Sequence, residues 1–101
     1  DAINVALGTS PDNIDVAADG SLTIGAHANI MALIQHFISG EPAPSQILSV
    51  SGSPEAGYTT EEIYLNTGEE ISTSSVGATY GNKLLIGSIT ARQVLVCESP
   101  M

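Results

Sequence analysis

The fold of this chain is decided by a short stretch that occurs twice, as LTIGA at residues 22–26 and as LLIGS at residues 84–88. Each copy follows a short turn sequence, ADG at 18–20 and GN at 81–82. Asp, Asn and Gly are residues that tight hairpin turns favour, because they tolerate the required backbone twist. The repeat therefore predicts two copies of one β-hairpin, each of which ends in Ile-Gly and a small residue.

Alternating apolar and polar residues between turn-forming residues predict strands along most of the chain. The predicted strands, with both copies of the repeat included, are 3–7, 13–17, 22–26, 45–50, 61–65, 75–80, 83–88 and 93–97. The stretch HANIMALIQHFIS (27–39) departs from this pattern, because from Ile30 onward its apolar residues follow the i, i+3, i+4 spacing of an amphipathic helix. Asn29 or His27 is the predicted N-cap, and Gly40 is predicted to end the helix.

The helix is interpreted as an insertion between strands. Removing about 18 residues of helix and linker from the offset between the two copies leaves about 44, close to the ~40–45 residues of a four-stranded propeller blade. We therefore predict an all-β protein with about two blades of a β-propeller. Residues 1–8 would be the outer strand of a preceding blade, 12–66 one full blade with the helix inserted, and 73–98 three strands of the closing blade.

A propeller closes with 4–8 blades, so the sequence predicts that these 101 residues are a segment of a longer protein. The predicted closing blade lacks a fourth strand, which leaves an edge free to pair. We expect that edge to be covered by the remaining blades or by another copy of the chain.

The strongly acidic composition limits the classes of partner that the chain can bind. The chain has 11 acidic and 2 basic residues and a net charge of −9. Binding to nucleic acid or to an anionic membrane requires a basic surface, which this chain lacks. A cation is the partner that an acidic surface favours. No apolar run is long enough for a transmembrane helix.

Several side chains are candidates for chemistry. Asp12 and Asn13 carry the oxygen ligands that Ca²⁺ prefers, although Ser-Pro-Asp-Asn is also ordinary turn sequence. His27 either satisfies the junction after its strand or acts on a water molecule. His36 lies off the apolar helix stripe and is predicted to be solvated. Cys97, the only cysteine, is either a buried thiol or paired with another chain.

The sequence does not contain the motifs of serine hydrolases, phosphate-binding loops or zinc sites. A GxSxG nucleophile elbow is absent, and so is a glycine-rich phosphate loop before a helix. Two histidines and one cysteine do not have the spacing of a zinc site.

Four stretches together resemble the C-terminal part of the paraoxonases, which are serum arylesterases and lactonases related to gluconolactonases and strictosidine synthases. They are DNIDVAADGSLTIGAHANIMALI (12–34), PAPSQILSV (42–50), SSVGATYGNKLLIGSI (74–89) and VLVCE (94–98). The resemblance extends over nearly the whole chain and implies a calcium-dependent, six-bladed propeller.

The resemblance also implies roles for individual residues. It implies that Asp12 and Asn13 are ligands of the catalytic calcium and that His27 has a supporting role on the wall of the active site. Cys97 lies where the family has a C-terminal cysteine, whose disulfide ties the last strand to an N-terminal strand. That implied partner lies outside this chain.

The same resemblance places the substrate pocket. Ile34, Ser75 and Ile89 fall at positions that line it in the paraoxonases.

The leading hypothesis is the C-terminal part of a calcium-dependent hydrolase that acts on small-molecule lactones or aryl esters, with the isolated 101 residues inactive. One alternative is a non-catalytic propeller piece that serves as a binding or assembly module. Another is a free-standing small acidic β-protein. A disulfide at Cys97 in the longer protein would favour an extracellular location.

Overall fold

The computed structural model describes residues 2–98. Its elements, in chain order, are β1 (Ser10–Val16), β2 (Leu22–His27), α1 (Ile30–Ser39), β3 (Ser45–Ser53), β4 (Gly57–Asn66), β5 (Ser74–Tyr80), β6 (Lys83–Ser88) and β7 (Leu95–Glu98). No helix in the described range is long and apolar enough to cross a membrane.

The strands form two antiparallel sheets, as the repeat predicts. The first sheet has four strands in the order β1-β2-β3-β4, and the second has three in the order β5-β6-β7. Both copies of the repeat, in β2 and β6, pair with the strand before them through a tight turn. Gly20 and Gly81 have positive φ in these turns, at 88° and 59°, which glycine adopts without steric cost. The predicted all-β fold with one inserted helix is confirmed, and its two antiparallel sheets are consistent with part of a propeller.

The glycine of the first copy explains why Ile-Gly-Ala is needed there. A Cβ atom built on Gly25 would lie 2.3 Å from the carbonyl carbon of Ser75 on β5. The backbone of the second sheet therefore rests directly on β2, at a distance that only glycine permits. In the second copy, a Cβ on Gly87 would meet only the Cγ1 of Val76, at 3.0 Å.

Two apolar clusters lie on opposite faces of the first sheet. Between the sheets, Ile47, Ile71, Leu84 and Ile86 are at most 3% exposed. Fully burying an aliphatic side chain of this size contributes about 1.5–3 kcal/mol, so this cluster is the main cohesion between the sheets. The other face has a second cluster, made by Ile24, Ala26, Leu48 and Val50.

The segment before β1 covers part of the second cluster. Val5 and Leu7 pack against it, beside a cleft of about 310 Å³. The strand predicted at 3–7 is not formed, because residues 2–7 have no ladder partner within 2–98. Its assignment to a preceding blade stays a prediction. The last strand begins at Leu95, two residues later than predicted.

The helix begins later than predicted, at Ile30 rather than at residue 27. Asn29 is the N-cap, since its side chain accepts a hydrogen bond from the amide of Ala32. Gly40 ends the helix in the left-handed conformation, with φ 78°. His27 instead closes β2, because its backbone continues the ladder opposite Ser10.

The apolar stripe of α1 is largely exposed, and none of its residues is fully buried. Phe37 and Ile38 are 57% and 75% exposed. Within the described chain, the stripe therefore does not serve as core.

Candidate functional site

The candidate site lies where several strand ends meet at one edge. The ladder register aligns the start of β1 with the end of β2, and the end of β2 with the start of β3. In the second sheet, Ser74 at the start of β5 pairs with Ser88 at the end of β6. Because Ser74 also hydrogen-bonds to the amide and carbonyl of Gln46 near the start of β3, the two sheets are joined at this edge.

A β-bulge in β1 places Asp12 and Asn13 at this edge. The register runs from Pro11 opposite Ala26 to Ile14 opposite Ile24, so two residues of β1 face the single Gly25 of β2. Bulges re-aim side chains and are frequent beside active sites. The bulge interrupts the ladder at Asp12 and Asn13, so these two residues depart from the regular pairing and alternation of a strand.

Asp12 and His27 form the central contact of the site. Oδ2 of Asp12 lies 3.1 Å from Nε2 of His27, whose side chain is only 8% exposed. A neutral His27 with its proton on Nε2 donates to Asp12 and leaves the lone pair of Nδ1 available. Nδ1 is buried and has no hydrogen-bond partner among the described residues. A buried polar atom of this kind calls for a partner, such as a water molecule or a substrate group.

The donor set fits one side of a calcium site. Asp12 and Asn13 offer a carboxylate and an amide oxygen, which are hard ligands suited to Ca²⁺. Both residues are exposed, so an ion would have access to them. Within residues 2–98, no group of three or more His, Cys, Asp or Glu side chains comes together as a metal site. The pair can therefore supply part of a shell of six to eight oxygens, and the other ligands must come from elsewhere.

The three predicted pocket residues lie around the same edge without forming a closed pocket in this chain. Ser75 is half-buried, and its backbone touches Gly25, opposite the bulge. Ile34 lies on α1 and is 45% exposed, whereas Ile89 follows β6 and is 48% exposed. Three clefts of the described chain are lined by other residues.

His36 is not simply solvated, contrary to the prediction from the helix stripe. Its Nδ1 lies 2.7 Å from the carbonyl oxygen of Glu41, and its Nε2 lies 2.8 Å from Oγ1 of Thr90. The prediction was wrong because the partner is 54 positions away in the sequence. No local pattern indicates that contact.

Cys97 lies on β7 opposite Leu84 and is a half-buried free thiol in the described chain. Its burial, and to a lesser extent the Glu70 carboxylate, raise the pKa of the thiol. The disulfide that the resemblance implies stays a prediction.

These features define the class of protein: it is an all-β protein of propeller blades, with a carboxylate–histidine pair and a bulge at one edge. The Arylesterase family model matches residues 2–99, and the chain belongs to that family. Human serum paraoxonase/lactonase 3 is 30% identical over 95 residues, which cover 93% of this chain and 26% of that protein. Chicken serum paraoxonase/arylesterase 2 is 33% identical over 93 residues, or 91% of this chain and 26% of the relative. The chain thus spans about a quarter of the length of these relatives, and the family is one of hydrolases.

Proposed function

We propose that this chain is the C-terminal part of a calcium-dependent hydrolase that acts on lactones or aryl esters. The observation that carries the proposal is the contact between the exposed Asp12 and the buried His27 beside the bulge, with Nδ1 of His27 unpartnered among the described residues. The family membership and the names of the relatives supply the substrate class.

In the proposed reaction, the metal and the protein have different roles. Calcium, when bound, would polarise the ester carbonyl and stabilise the developing oxyanion. Asp12 and Asn13 would hold it on this side of the site. Asp12 also holds the imidazole of His27 in one orientation through Nε2, as the carboxylate does in catalytic triads.

His27 has the supporting role. With Nε2 engaged by Asp12, the free lone pair of Nδ1 can accept a hydrogen bond, and then a proton, from a water molecule. Because the side chain is almost fully buried, few competing solvent molecules reach this nitrogen. The pair is therefore suited to orient one water molecule at Nδ1.

The proposal extends to the isolated chain, which we expect to be inactive. Two ligands leave most of the calcium shell to water, so we expect binding weaker than micromolar. Calorimetry of the 101-residue chain with CaCl₂ measures this directly. Sub-micromolar binding would contradict the proposed division of ligands between this segment and the rest of the protein.

The test of function uses a longer polypeptide that contains these residues. Asp12→Asn removes the charged ligand and should lower hydrolysis of phenyl acetate and of a γ-lactone at least about 100-fold, the scale of losing one strong electrostatic group. Asp15→Asn is the matched control, since Asp15 lies on the same strand and loses the same charge. Equal rates for Asp12→Asn and the parent would remove Asp12 from the mechanism. A parent that binds calcium but cleaves neither ester would favour the binding-module alternative.

A further inference from the structure

The attachment of α1 to the rest of the molecule rests on unusually few contacts. No residue of the helix is fully buried, and no strand of the described chain packs broadly against it. Its N-cap, Asn29, hydrogen-bonds only within the helix turn it starts. Hydrophobic burial therefore does not fix the orientation of α1, and a specific polar contact is needed to do so.

His36 provides such a contact in the last turn of the helix. Its ring bridges two points outside the helix, since Nδ1 faces the carbonyl of Glu41 at 2.7 Å and Nε2 faces Oγ1 of Thr90 at 2.8 Å. A carbonyl oxygen can only accept, so Nδ1 must carry a proton. In the neutral imidazole Nε2 is then the acceptor, and the Thr90 hydroxyl donates to it. Both ring nitrogens are engaged, which fixes the ring in a single orientation.

Thr90 is itself held in place by the second sheet. The amide of Thr90 donates to Oγ of Ser88 at 3.1 Å, and Oγ of Ser88 donates to the carbonyl of Ser72 at 2.6 Å. Oγ1 of Thr90 also lies 3.2 Å from Oγ1 of Thr73. Thr73 is completely buried and has φ 57°, a conformation that a β-branched residue adopts only when its surroundings enforce it. Thr90, although exposed, is therefore tied to the second sheet and lies beside a buried residue of fixed conformation.

We propose that His36 is a positioning residue: through Thr90 it fastens α1 to the connection that follows β6. The contact joins the helix that carries Ile34 to the segment that carries Ile89. It fixes the relative orientation of two elements predicted to line the substrate pocket. Only this consequence for substrate rests on the proposed function, because the contact itself is independent of any ligand.

The contact is tested on the 101-residue chain by nuclear magnetic resonance. At alkaline pH, the nitrogen-15 shifts of His36 should show a protonated Nδ1 and an unprotonated Nε2. Thr90→Val, which removes the hydroxyl at nearly constant volume, should raise amide hydrogen exchange in the last turns of α1 roughly 2- to 10-fold, the equilibrium factor of one ordinary hydrogen bond. Exchange in β2 and β3 should stay unchanged.

Two controls accompany this variant. Thr90→Ser keeps the hydroxyl and should retain most of the protection, and Thr60→Val makes the same chemical change at an exposed position of β4. His36→Leu combined with Thr90→Val should expose α1 no more than His36→Leu alone, because the leucine has already removed the contact with Thr90. A neutral His36 with its proton on Nε2 would overturn the proposal, as would unchanged exchange in α1 of Thr90→Val. The tautomer is read on the unmodified chain, so this test does not depend on how the variants fold.

The consequence for substrate is read in the longer polypeptide. Thr90→Val should raise KM for lactones several-fold and leave kcat nearly unchanged, because a loosely held wall weakens binding without altering Asp12 or His27. An equal fall in kcat at unchanged KM would overturn the positioning role. Acylation of Thr90 by an activated ester would also overturn it, since the pair would then act as nucleophile and base. If the longer polypeptide hydrolyses no ester or lactone at all, the proposed function is contradicted. The test of the His36–Thr90 contact is separate, because it depends only on the tautomer of His36 and on amide exchange.

Discussion

Gly25→Ala should destabilise the chain, although the usual effect of this change is the opposite. Gly25 does not have a positive φ, so alanine fits its backbone conformation. Replacing glycine by alanine at such a position normally stabilises a protein by about 0.4–1 kcal/mol, through lower entropy of the unfolded chain. The steric environment of Gly25 predicts the reverse sign.

The magnitude follows from the contact with β5. The new methyl carbon would lie 2.3 Å from the carbonyl carbon of Ser75 and from the amide of Val76, whereas ordinary contact begins at 3.4 Å. The second sheet must therefore move away by about 1 Å, a gap that forfeits roughly a quarter to a half of the dispersion contacts across it. Ile47, Leu84 and Ile86, each worth about 1.5–3 kcal/mol when buried, would together lose about 1–4 kcal/mol. With the middle of each range, the entropic gain of about 0.7 kcal/mol leaves an expected net loss of about 2 kcal/mol.

Urea unfolding followed by far-ultraviolet circular dichroism measures this loss as a lower midpoint at unchanged slope. Gly87→Ala is the matched control, because its methyl group would meet only the end of the Val76 side chain, which can rotate away. That variant should stay within about 0.5 kcal/mol of the parent. A Gly25→Ala chain as stable as the parent, or more stable, would refute the direct packing of β5 on β2.

Three further outcomes are expected. Asn29→Ala should raise amide exchange in the first turns of α1 about fivefold, since a lost N-cap costs about 1 kcal/mol, and equal exchange in the core strands is the internal control. Burial, the hydrogen bond to Glu70 and the charge of Glu70 raise the pKa of Tyr64, so Tyr64 should ionise at a higher pH than an ordinary tyrosine in an alkaline titration. The contribution of Tyr64 to the free energy of unfolding is complete below the ordinary tyrosine pKa of about 10 and is lost as pH rises through the raised pKa. A Tyr64→Phe chain that loses as much stability as the parent at alkaline pH would contradict this. Cys97 of the native chain should react with iodoacetamide more slowly than a free thiol, because burial and Glu70 raise its pKa, and Glu70→Gln should speed the reaction. In the longer, unreduced protein, complete labelling of Cys97 after denaturation would exclude the proposed disulfide.

The strands were predictable because their signals are local. Alternation and hairpin turns predict β2 and β6, and these strands begin at Leu22 and Lys83 as expected. The stop at Gly40 was predictable for the same reason, since a left-handed C-cap favours glycine. His27 is predicted at the start of the helix because it directly precedes the amphipathic stretch, but pairing with Ser10 extends β2 through it.

The site was only partly predictable, because its geometry depends on contacts between distant residues. The sequence supplies Asp12, Asn13 and His27 as candidates, but not the bulge that places two β1 residues opposite Gly25. The contact of His36 with Thr90 had no local signal at all. A regular alternation pattern carries no information about which residue of a distant hairpin its side chains will meet.

The candidate binding residues on α1 and after β6 lie at one edge, apart from the glycine contact that holds the two sheets together. Ligand preference and folding therefore depend on different residues. The close glycine contact lies within the paired strands, whereas α1 and the connection after β6 lie beyond the ends of their strands. Residues 28–41, 89–90 and 92–94 can therefore be varied in a mutant library without altering the contact between the sheets, whereas Ala91 is kept because it packs against the cluster between them. Such a library should contain many folded variants that differ in the ligands they prefer, which makes this segment a practical starting point for engineering new specificities.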